Sequence, residues 1–461
     1  AIANWDEDTI TMAVEAARDC LGDRPRNSIN RIVLASTTHP FADRQNAGVA
    51  KEALNLSDGI AALDVGGSQR AATSALLEVL LATQGTSGEV LCLAAEKRKA
   101  QPGSELELVT GDAAACLLIG AGDSEQVIAE FLAGTSVTVD FVDHFRASGR
   151  SFDYGWEARW VRDEGYIRFA SAAISTALAK AGISSREVNR LVVGAPMFGA
   201  NVAVAKASGI PLEILCDPLA RVLGEAGTAH PLVLLSHVLE NCSVGEIIVV
   251  VGFGQGCDVL VFRATGGHAR GSRMGVSGWL ARRKPEDNYL KYLALNGHLE
   301  LDRGMRAEYN TKTALTALYR NRKTVLGLVG GRCPKTGVVQ FPKSDISVAP
   351  GVREVRTQED YPLADRRAKV LTHTADHLTY TPDPPGYYGA VALEGGGRIS
   401  LEFTDVDADD LKVGAVMRLM FRIKSVDDIR GFTRYFWKAA PDVRRAATFG
   451  QTESGYSVER N

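Results

Sequence analysis

The chain has 461 residues, of which 45% are hydrophobic and 23% charged, and its formal net charge is -3. This length allows two or three domains with a large core, and the near-neutral charge excludes electrostatically driven binding to nucleic acid or to an anionic membrane. No apolar run reaches the roughly 18 residues of a membrane-spanning helix, and no secretory signal opens the sequence, so we expect a cytoplasmic protein.

The first part of the chain alternates helices and strands. Apolar spacing predicts a first helix from Asp6 to Leu21, with acidic residues in its first turn. Further patterns predict strands at 31–36, 60–65, 89–95 and 111–120, and helices up to residue 54 and over 71–81. This alternation is typical of an α/β domain. Because such domains usually open with a strand, we expect a native N-terminal strand to be missing from this sequence.

The second part of the chain repeats that order of elements. Residues 131–165 interrupt the pattern with charges and aromatics, and we expect them to form a surface excursion over a site. A helix is then predicted over 167–181, followed by strands at 188–193, 247–251 and 259–263. We therefore predict one α/β domain over residues 1–265, whose halves share a topology.

The remaining sequence changes character. Residues 266–325 are predicted to be a helical connecting region, with a helix beginning near Lys312 and reading ALTALYRNRKTVLGLVG. Alternating patterns at 369–378, 388–392, 398–403 and 415–423 predict a small all-β barrel or sandwich within residues 326–441. Residues 442–461 are polar and are expected to form a loose tail.

One stretch, LDVGGSQRAATSALL (63–77), organises the first domain. An apolar strand runs into two glycines and re-emerges as a helix of small residues. Such a junction places side chains at the tip of a strained turn, beside the positive end of a helix dipole. Acyl-transfer enzymes hold their nucleophile there, but this tip carries Ser68, Gln69 and Arg70 and no cysteine.

Five segments in this order resemble the thiolase superfamily, in particular the branch of 3-hydroxy-3-methylglutaryl-CoA synthase and 3-oxoacyl-carrier-protein synthase III. They are LDVGGSQRAATSAL, GDAAACLLIG, GAPMFGAN, GEAGTAHPL and GFGQGCD. The segments YRNRKTVLGLVGGRCPKTGVVQFP, TADHLTYTPDPP and GFTRYFWKAAP resemble an OB-fold domain with a zinc-ribbon neck that accompanies thiolase-fold proteins. The resemblance implies a five-layered αβαβα core, a homodimer and an acyl-CoA substrate whose pantetheine arm reaches the turn. It implies no cofactor beyond the coenzyme A of the substrate.

The catalytic residues of that family are absent from the matching positions. Family enzymes use Cys, His and Asn, in which the thiolate takes the acyl group and backbone N–H groups hold the oxyanion. Here the Cys position falls at Gln69, or at Ser68 after a shift of one residue, the His position falls at Gly194, and the Asn position falls at Glu225. Because such a triad acts as a unit, its loss excludes ordinary covalent acyl transfer.

The residues that replace the triad are the catalytic candidates. Gln69 can donate its amide to a thioester carbonyl, or it fills an inactive site. Glu225 can act as the general base of aldol or retro-aldol chemistry, or it is a buried carboxylate held by backbone amides. His230 can form an acid–base pair with Glu225, or it is a structural histidine at a helix cap.

The same loops supply candidate substrate-binding residues. Ser68 and Arg70 flank the tip, and Arg70 can pair with a carboxylate or a CoA phosphate or can close the turn as a surface charge. Gly254, Gln255 and Gly256 belong to a loop that lines the site in the family, where glycines permit close approach of a substrate.

The zinc ribbon departs from its family pattern. A structural zinc ion needs four ligands, usually two Cys pairs, whereas Cys333 stands alone and Thr336, Ser347 and Gly351 occupy the other ligand positions. We therefore predict a degenerate ribbon without metal. The other cysteines are scattered in apolar patterns, and we expect reduced thiols.

Three functions remain open from the sequence. The first is an acyl-CoA enzyme, a transferase or lyase, that makes or cleaves a C–C bond without an acyl-enzyme. In it Gln69 stabilises the enolate, and Glu225 or His230 moves protons. The second is a non-catalytic acyl-CoA-binding scaffold subunit that dimerises with an active thiolase-fold partner. The third is a thioester decarboxylase, since Gln replaces the catalytic Cys in decarboxylating ketosynthase relatives.

Overall fold

Strands and helices alternate through the first part of the chain, as predicted. The computed structural model describes residues 1–84, 88–123, 126–267, 274–308, 310 and 312–442. The first elements are α1 (Thr9–Leu21), β1 (Ile29–Ala35), α2 (Asn46–Ala53), β2 (Ala61–Val65), α3 (Ala71–Thr83), β3 (Glu89–Glu96), α4 (Glu105–Val109) and β4 (Ala113–Ile119). Their strands form one sheet in the order β2-β1-β3-β4, with β1, β2 and β3 parallel and β4 antiparallel.

The second part of the chain builds a sheet of the same design. Its elements are β5 (Ala129–Thr138), β6 (His144–Phe145), β7 (Tyr154–Gly155), α5 (Ala158–Trp160), α6 (Ser171–Ala181), β8 (Arg190–Val193), α7 (Ala200–Ala207), α8 (His230–Leu239), β9 (Ile247–Phe253) and β10 (Gly256–Ala264). The sheet order is β5-β10-β9-β8, in which β8 and β9 are parallel and β10 is antiparallel to its neighbours. The antiparallel pairs β3-β4 and β9-β10 correspond, which confirms the predicted topological repeat.

Three predicted elements differ in the structure. Residues 129–138 form the edge strand β5 and pair with β10, although the sequence analysis assigned most of them to a surface excursion. An edge strand needs only one buried face, so its polar residues do not exclude it. The helix predicted from residue 167 begins earlier, because a π-helix (Val161–Ala170) joins α5 to α6. Helix α1 begins at Thr9 because the Asp8 side chain accepts the Thr11 N–H (2.9 Å) and caps it.

Helices separate and cover the two sheets. Leu76 of α3 and Leu232 of α8 share one buried cluster with Val90 of the first sheet and Leu260 of the second. Helices α1 and α2 pack on the outer face of the first sheet, and α6 and α7 pack on the outer face of the second. These contacts confirm the five-layered αβαβα core.

A helical connector and a β-domain complete the described chain. The connector contains α9 (Gly275–Ala281), α10 (Tyr289–Leu295), α11 (Leu315–Arg320) and α12 (Arg322–Val325). The strands that follow are β11 (Val329–Arg332), β12 (Val339–Gln340), β13 (Glu359–Pro362), β14 (Ala368–Val370), β15 (Thr374–Asp376), β16 (Gly386–Leu393), β17 (Arg398–Glu402), β18 (Val416–Asp427) and β19 (Phe432–Pro441). The helix predicted from Lys312 is therefore two short helices, which begin at Leu315 and end at Val325, and its glycine-rich last residues enter β11 instead.

The β-domain packs against α1 of its own chain. Arg18 of α1 donates hydrogen bonds to the carbonyl oxygens of Leu419 (2.8 Å) and Ala364 (2.7 Å). Asp6, fully buried, pairs with Lys438 of β19 (3.0 Å). One apolar cluster runs from α1 and α2 into the β-domain, so the two parts share a core. None of the described helices is both long and apolar enough to cross a membrane. The predicted tail lies outside the described residues, except for Asp442.

Candidate functional site

The turn after β2 holds the predicted tip residues against the glycine loop. Gly67 has a φ of +86°, which favours glycine, and α3 begins directly after Arg70. The Ser68 hydroxyl donates a hydrogen bond to the carbonyl oxygen of Gly254 (2.9 Å). A Cβ at Gly254 would lie 2.8 Å from Ser68 Oγ. The structure therefore brings Ser68 and Gly254 together and engages the Ser68 hydroxyl within the protein.

The glycine loop is the tight hairpin between β9 and β10. Gln255 has a φ of +50° and Gly256 a φ of +117°, and the Gly254 N–H donates to the carbonyl oxygen of Gly256 (3.0 Å). A Cβ at Gly256 would lie 1.9 Å from the carbonyl oxygen of Val137. Glycine is thus required here by the neighbouring strand β5, whatever else approaches the loop.

Gln69 points to the carboxyl ends of the parallel strands. Its Nε2 donates to Thr37 Oγ1 (3.3 Å) in the loop after β1. Its Oε1 is buried and has no hydrogen-bond partner among the described residues. A buried acceptor without a partner costs roughly 1–3 kcal/mol. In open α/β sheets, ligands bind at these strand ends, so the free end of the Gln69 amide marks the candidate site.

Glu96 ends β3 beside Gln69 and is fully buried. Its carboxylate accepts hydrogen bonds from the Thr37 N–H (3.1 Å), the Thr37 hydroxyl (3.1 Å) and the Thr38 hydroxyl (2.5 Å). Burial raises the pKa of Glu96 above its usual range, although these hydrogen bonds oppose the shift. The site therefore holds a carboxyl group that favours its protonated form more than a free glutamate does.

Glu225 enters the site paired with an arginine. Its Oε2 lies 2.9 Å from Nη1 of Arg98, and Arg98 Nη2 lies 2.6 Å from Oδ2 of Asp153. Asp153 also pairs with Arg146 (2.8 Å). Burial alone would lower the pKa of Arg98, but Glu225 and Asp153 hold it above its usual value. Among the described residues, the Glu225 carboxylate is thus held by a buried ion-pair network, and no backbone amide donates to it.

The His230 ring occupies the space beside Gly194. A Cβ at Gly194 would lie 2.3 Å from His230 Cδ2, so this ring fits only because residue 194 has no side chain. Nδ1 of His230 accepts the Ala226 N–H (3.2 Å), and the side chain is 2% exposed. Burial lowers the pKa of His230, and Glu225 opposes this shift. His230 is therefore a buried ring favoured in its neutral form, close to the position where the family carries its histidine.

Gly227 is the point where these side chains meet. It has a φ of +53°, and a Cβ there would lie 2.6 Å from Gln69 Oε1, 2.9 Å from Glu96 Cγ and 3.0 Å from Arg98 Cδ. Residues from three separate segments of the chain thus converge on one small volume. Of the predicted catalytic residues, Gln69 lies at this volume with Glu96 and Arg98. Glu225 is linked to it through its ion pair with Arg98, and His230 packs against Gly194 instead.

Arg70 is engaged away from that volume. Its Nη1 pairs with Asp258 Oδ1 (2.7 Å) and donates to Ser136 Oγ (2.8 Å), and its Nη2 donates to Thr138 Oγ1 (2.7 Å). Asp258 is fully buried. This arginine therefore ties the turn to the second sheet.

Glu96, Arg98 and Asp153 belong to the site, although from the sequence Glu96 was expected only beside it, at the end of a strand, and Arg98 in a basic loop that meets a CoA phosphate or solvent. The location of Glu96 and Arg98 at and just after the end of β3 indicates that they belong to the site, because the carboxyl ends of neighbouring parallel strands meet at one edge of a sheet. No local signal marked Asp153, which lies in the excursion between β6 and β7 and reaches Arg98 only through the fold.

Cys333 lies buried beside the polar positions of the ribbon. Thr336 and Ser347 are neighbours of its thiol. Over residues 1–442 as far as they are described, no group of three or more His, Cys, Asp or Glu side chains is arranged to hold a metal ion. The absence of a structural metal stays a prediction.

Similarity to known proteins supports this architecture. The family model of the C-terminal OB-fold domain of ChsH2 matches residues 361–422. Hydroxymethylglutaryl-CoA synthase of Methanocaldococcus jannaschii is 28% identical over 270 residues, which cover 58% of this chain and 77% of that protein.

Solved structures show the same fold for the first domain. HMG-CoA synthase complexed with CoA has a TM-score of 0.55 at 16% identity, covering 68% of this chain and 84% of its own. 3-oxoacyl-(acyl carrier protein) synthase III from Pseudomonas aeruginosa PAO1 has a TM-score of 0.51 at 21% identity, covering 56% of this chain and 84% of its own. The first domain therefore has a thiolase-like fold, and a C-terminal OB-fold domain follows it.

Proposed function

We propose that the thiolase-like domain is an acyl-CoA enzyme that makes or cleaves a C–C bond next to the thioester, by aldol- or Claisen-type chemistry without an acyl-enzyme. Its relatives include a hydroxymethylglutaryl-CoA synthase and a synthase whose structure contains CoA. Coenzyme A enters as part of the substrate, and no other cofactor takes part. The domain acts in the cytoplasm as a homodimer.

The observation that carries this proposal is the free end of the Gln69 amide. Rotation about its terminal bond exchanges Oε1 and Nε2, so Gln69 can present either an acceptor or a donor to a ligand. A donor there stabilises the oxyanion of a thioester enolate. An acceptor there holds the hydroxyl group of a 3-hydroxyacyl substrate. Both forms of the substrate belong to the same reversible reaction.

Glu225 is the proton-transfer group in this proposal. Its carboxylate takes the proton from the α-carbon of the acyl group in bond formation, or from the 3-hydroxyl group in cleavage. Arg98 holds this carboxylate in place by the ion pair of 2.9 Å. His230 is the second proton-transfer candidate, but the Ala226 N–H already occupies its Nδ1, which favours Glu225.

The test is an assay of the purified full chain with acetyl-CoA plus acetoacetyl-CoA, with 3-hydroxy-3-methylglutaryl-CoA, and with malonyl-CoA. We expect turnover of one of the first two, and a loss of about 100-fold or more in kcat with Glu225→Gln. Gln69→Ala is expected to lose roughly 100-fold as well. Glu164→Gln, an exposed glutamate paired with Arg168, is the matched control. Turnover of malonyl-CoA alone would instead identify the decarboxylase.

A second candidate is a non-catalytic acyl-CoA-binding subunit that dimerises with an active thiolase-fold partner. The enclosure of His230 against Gly194 and the neutralisation of Glu225 by Arg98 favour it. This function predicts saturable binding of acetyl-CoA by calorimetry without turnover of any substrate, and activity only after addition of a co-purified thiolase. Turnover by the isolated chain that Glu225→Gln abolishes would exclude it.

A further inference from the structure

A positively charged cavity lies where the β-domain meets the thiolase-like domain. It has a volume of about 300 Å³. Arg44, from the loop after β1, lines one side, and Lys424 and Arg434 line the β-domain side. Leu318 and Phe436 supply apolar walls. No carboxylate is among the residues that line this junction cavity.

Arg44 is held in a fixed orientation by two aromatic rings. Its guanidinium lies 4.5 Å from the ring centroid of Phe41 and 4.8 Å from that of Phe432. These two rings hold its plane by cation–π contacts. Its Nη1 is buried and has no hydrogen-bond partner among the described residues. A charged donor that is buried without an acceptor costs more than a neutral one, so this group is suited to receive an anion.

The other two cations are partly engaged. Lys424 pairs with Glu402, and Arg434 donates from Nε to Ser425 Oγ (2.8 Å). Burial lowers the pKa of Arg44, and the only opposing influence is Tyr435, which is a phenol and not a carboxylate. Arg44 is therefore the cation of this cavity with a buried N–H group that has no hydrogen-bond partner among the described residues.

We propose that the junction cavity binds a small organic anion, with its carboxylate or phosphate on Arg44 and its apolar part against Leu318 and Phe436. The planar guanidinium suits a carboxylate or phosphate, both of which accept two parallel hydrogen bonds. The site is separate from the acyl-CoA site. Arg44 and Thr37 share one loop after β1, and Thr37 is the residue that Gln69 contacts. An anion in this cavity therefore contacts that loop, and it contacts both domains at the same time.

Calorimetric titration of the full chain with inorganic phosphate and with butyrate tests the proposal. We expect saturable binding of at least one probe, and Arg44→Gln should weaken it about 10- to 100-fold, as expected for hydrogen bonds to a charged group. Arg44→Lys should lose less, because the charge remains. Arg168→Gln is the matched control, since Arg168 also lies over a phenylalanine, Phe169 (5.8 Å), but far along the chain on the π-helix.

A further variant, Leu318→Phe, tested with both probes, distinguishes the two kinds of ligand. Leu318→Phe fills the apolar side without touching Arg44, so it should weaken butyrate more than phosphate if a carboxylate with an apolar tail is the ligand. Equal loss of both probes would assign the site to phosphate. The proposal is wrong if neither probe binds saturably, or if a folded Arg44→Gln protein binds both probes as tightly as the wild type.

Discussion

Replacing Gly194 by alanine tests whether the His230 ring holds the space that a side chain at this position would need. A Cβ at residue 194 would lie 2.3 Å from His230 Cδ2. Two carbon atoms clash at this distance, so the ring or the backbone at residue 194 would have to move. The ring is buried and its Nδ1 accepts the Ala226 N–H, so it cannot move without losing a hydrogen bond. Overpacking of this kind costs about 1–3 kcal/mol of unfolding free energy.

A double-mutant cycle of Gly194→Ala and His230→Ala separates the effect of this clash from an unrelated loss of stability. His230→Ala should cost about 2–4 kcal/mol, because it leaves a cavity. In Gly194→Ala/His230→Ala the new methyl group meets no ring, so the double variant should be less destabilised than the sum by about 1–2 kcal/mol. Urea unfolding and calorimetry at pH 8 measure the three variants. Additivity within about 0.5 kcal/mol would refute the assigned position of the ring.

The His230→Ala variant also tests the protonation state of His230. Burial lowers its pKa below the usual histidine value of 6.5, so the unfolded chain binds the proton more readily than the folded one. The neutral ring therefore contributes its stability above pH 6.5 and loses it as the pH falls. The stability difference between wild type and His230→Ala should shrink from pH 8 to pH 5.5. A difference that is constant over this range would contradict a buried neutral ring.

Three further predictions concern buried charges. The pKa of Glu96 is raised above 4.5, so the wild type should lose stability relative to Glu96→Gln as the pH rises from 4.5 to 8. Thermal melts of both proteins measure this, and melting temperatures that change in parallel with pH would count against it. Asp6→Asn leaves the buried Lys438 with one partner fewer, and calorimetry should show a loss of about 3–5 kcal/mol in unfolding free energy. A change below about 1 kcal/mol would show that the contact between the domains does not depend on this ion pair. Asp258→Asn removes the partner of Arg70 and should cost a similar 3–5 kcal/mol in urea unfolding, with an unaltered midpoint as the contrary result.

Much of the fold follows from local sequence patterns. The stretch around Gly67 predicted a strand, a tight turn and a helix, and the structure has β2, a positive φ and α3 there. Strand β5 was missed because an edge strand with one buried face carries no continuous apolar run. The last β-strand, β19, was likewise not predicted as a strand, although its residues helped to identify the OB-fold domain.

The sequence by itself determined the α/β class and the repeated topology, and its resemblance to the thiolase superfamily pointed to Gln69 and Glu225 as the residues at the expected Cys and Asn positions. Only the tertiary structure decided which side chains meet. Arg98 reaches Glu225 across 127 positions of the chain, and the His230 ring enters the gap at Gly194. The physical reason is that these contacts depend on how loops at neighbouring strand ends pack together, and no local pattern encodes the distance between two loops.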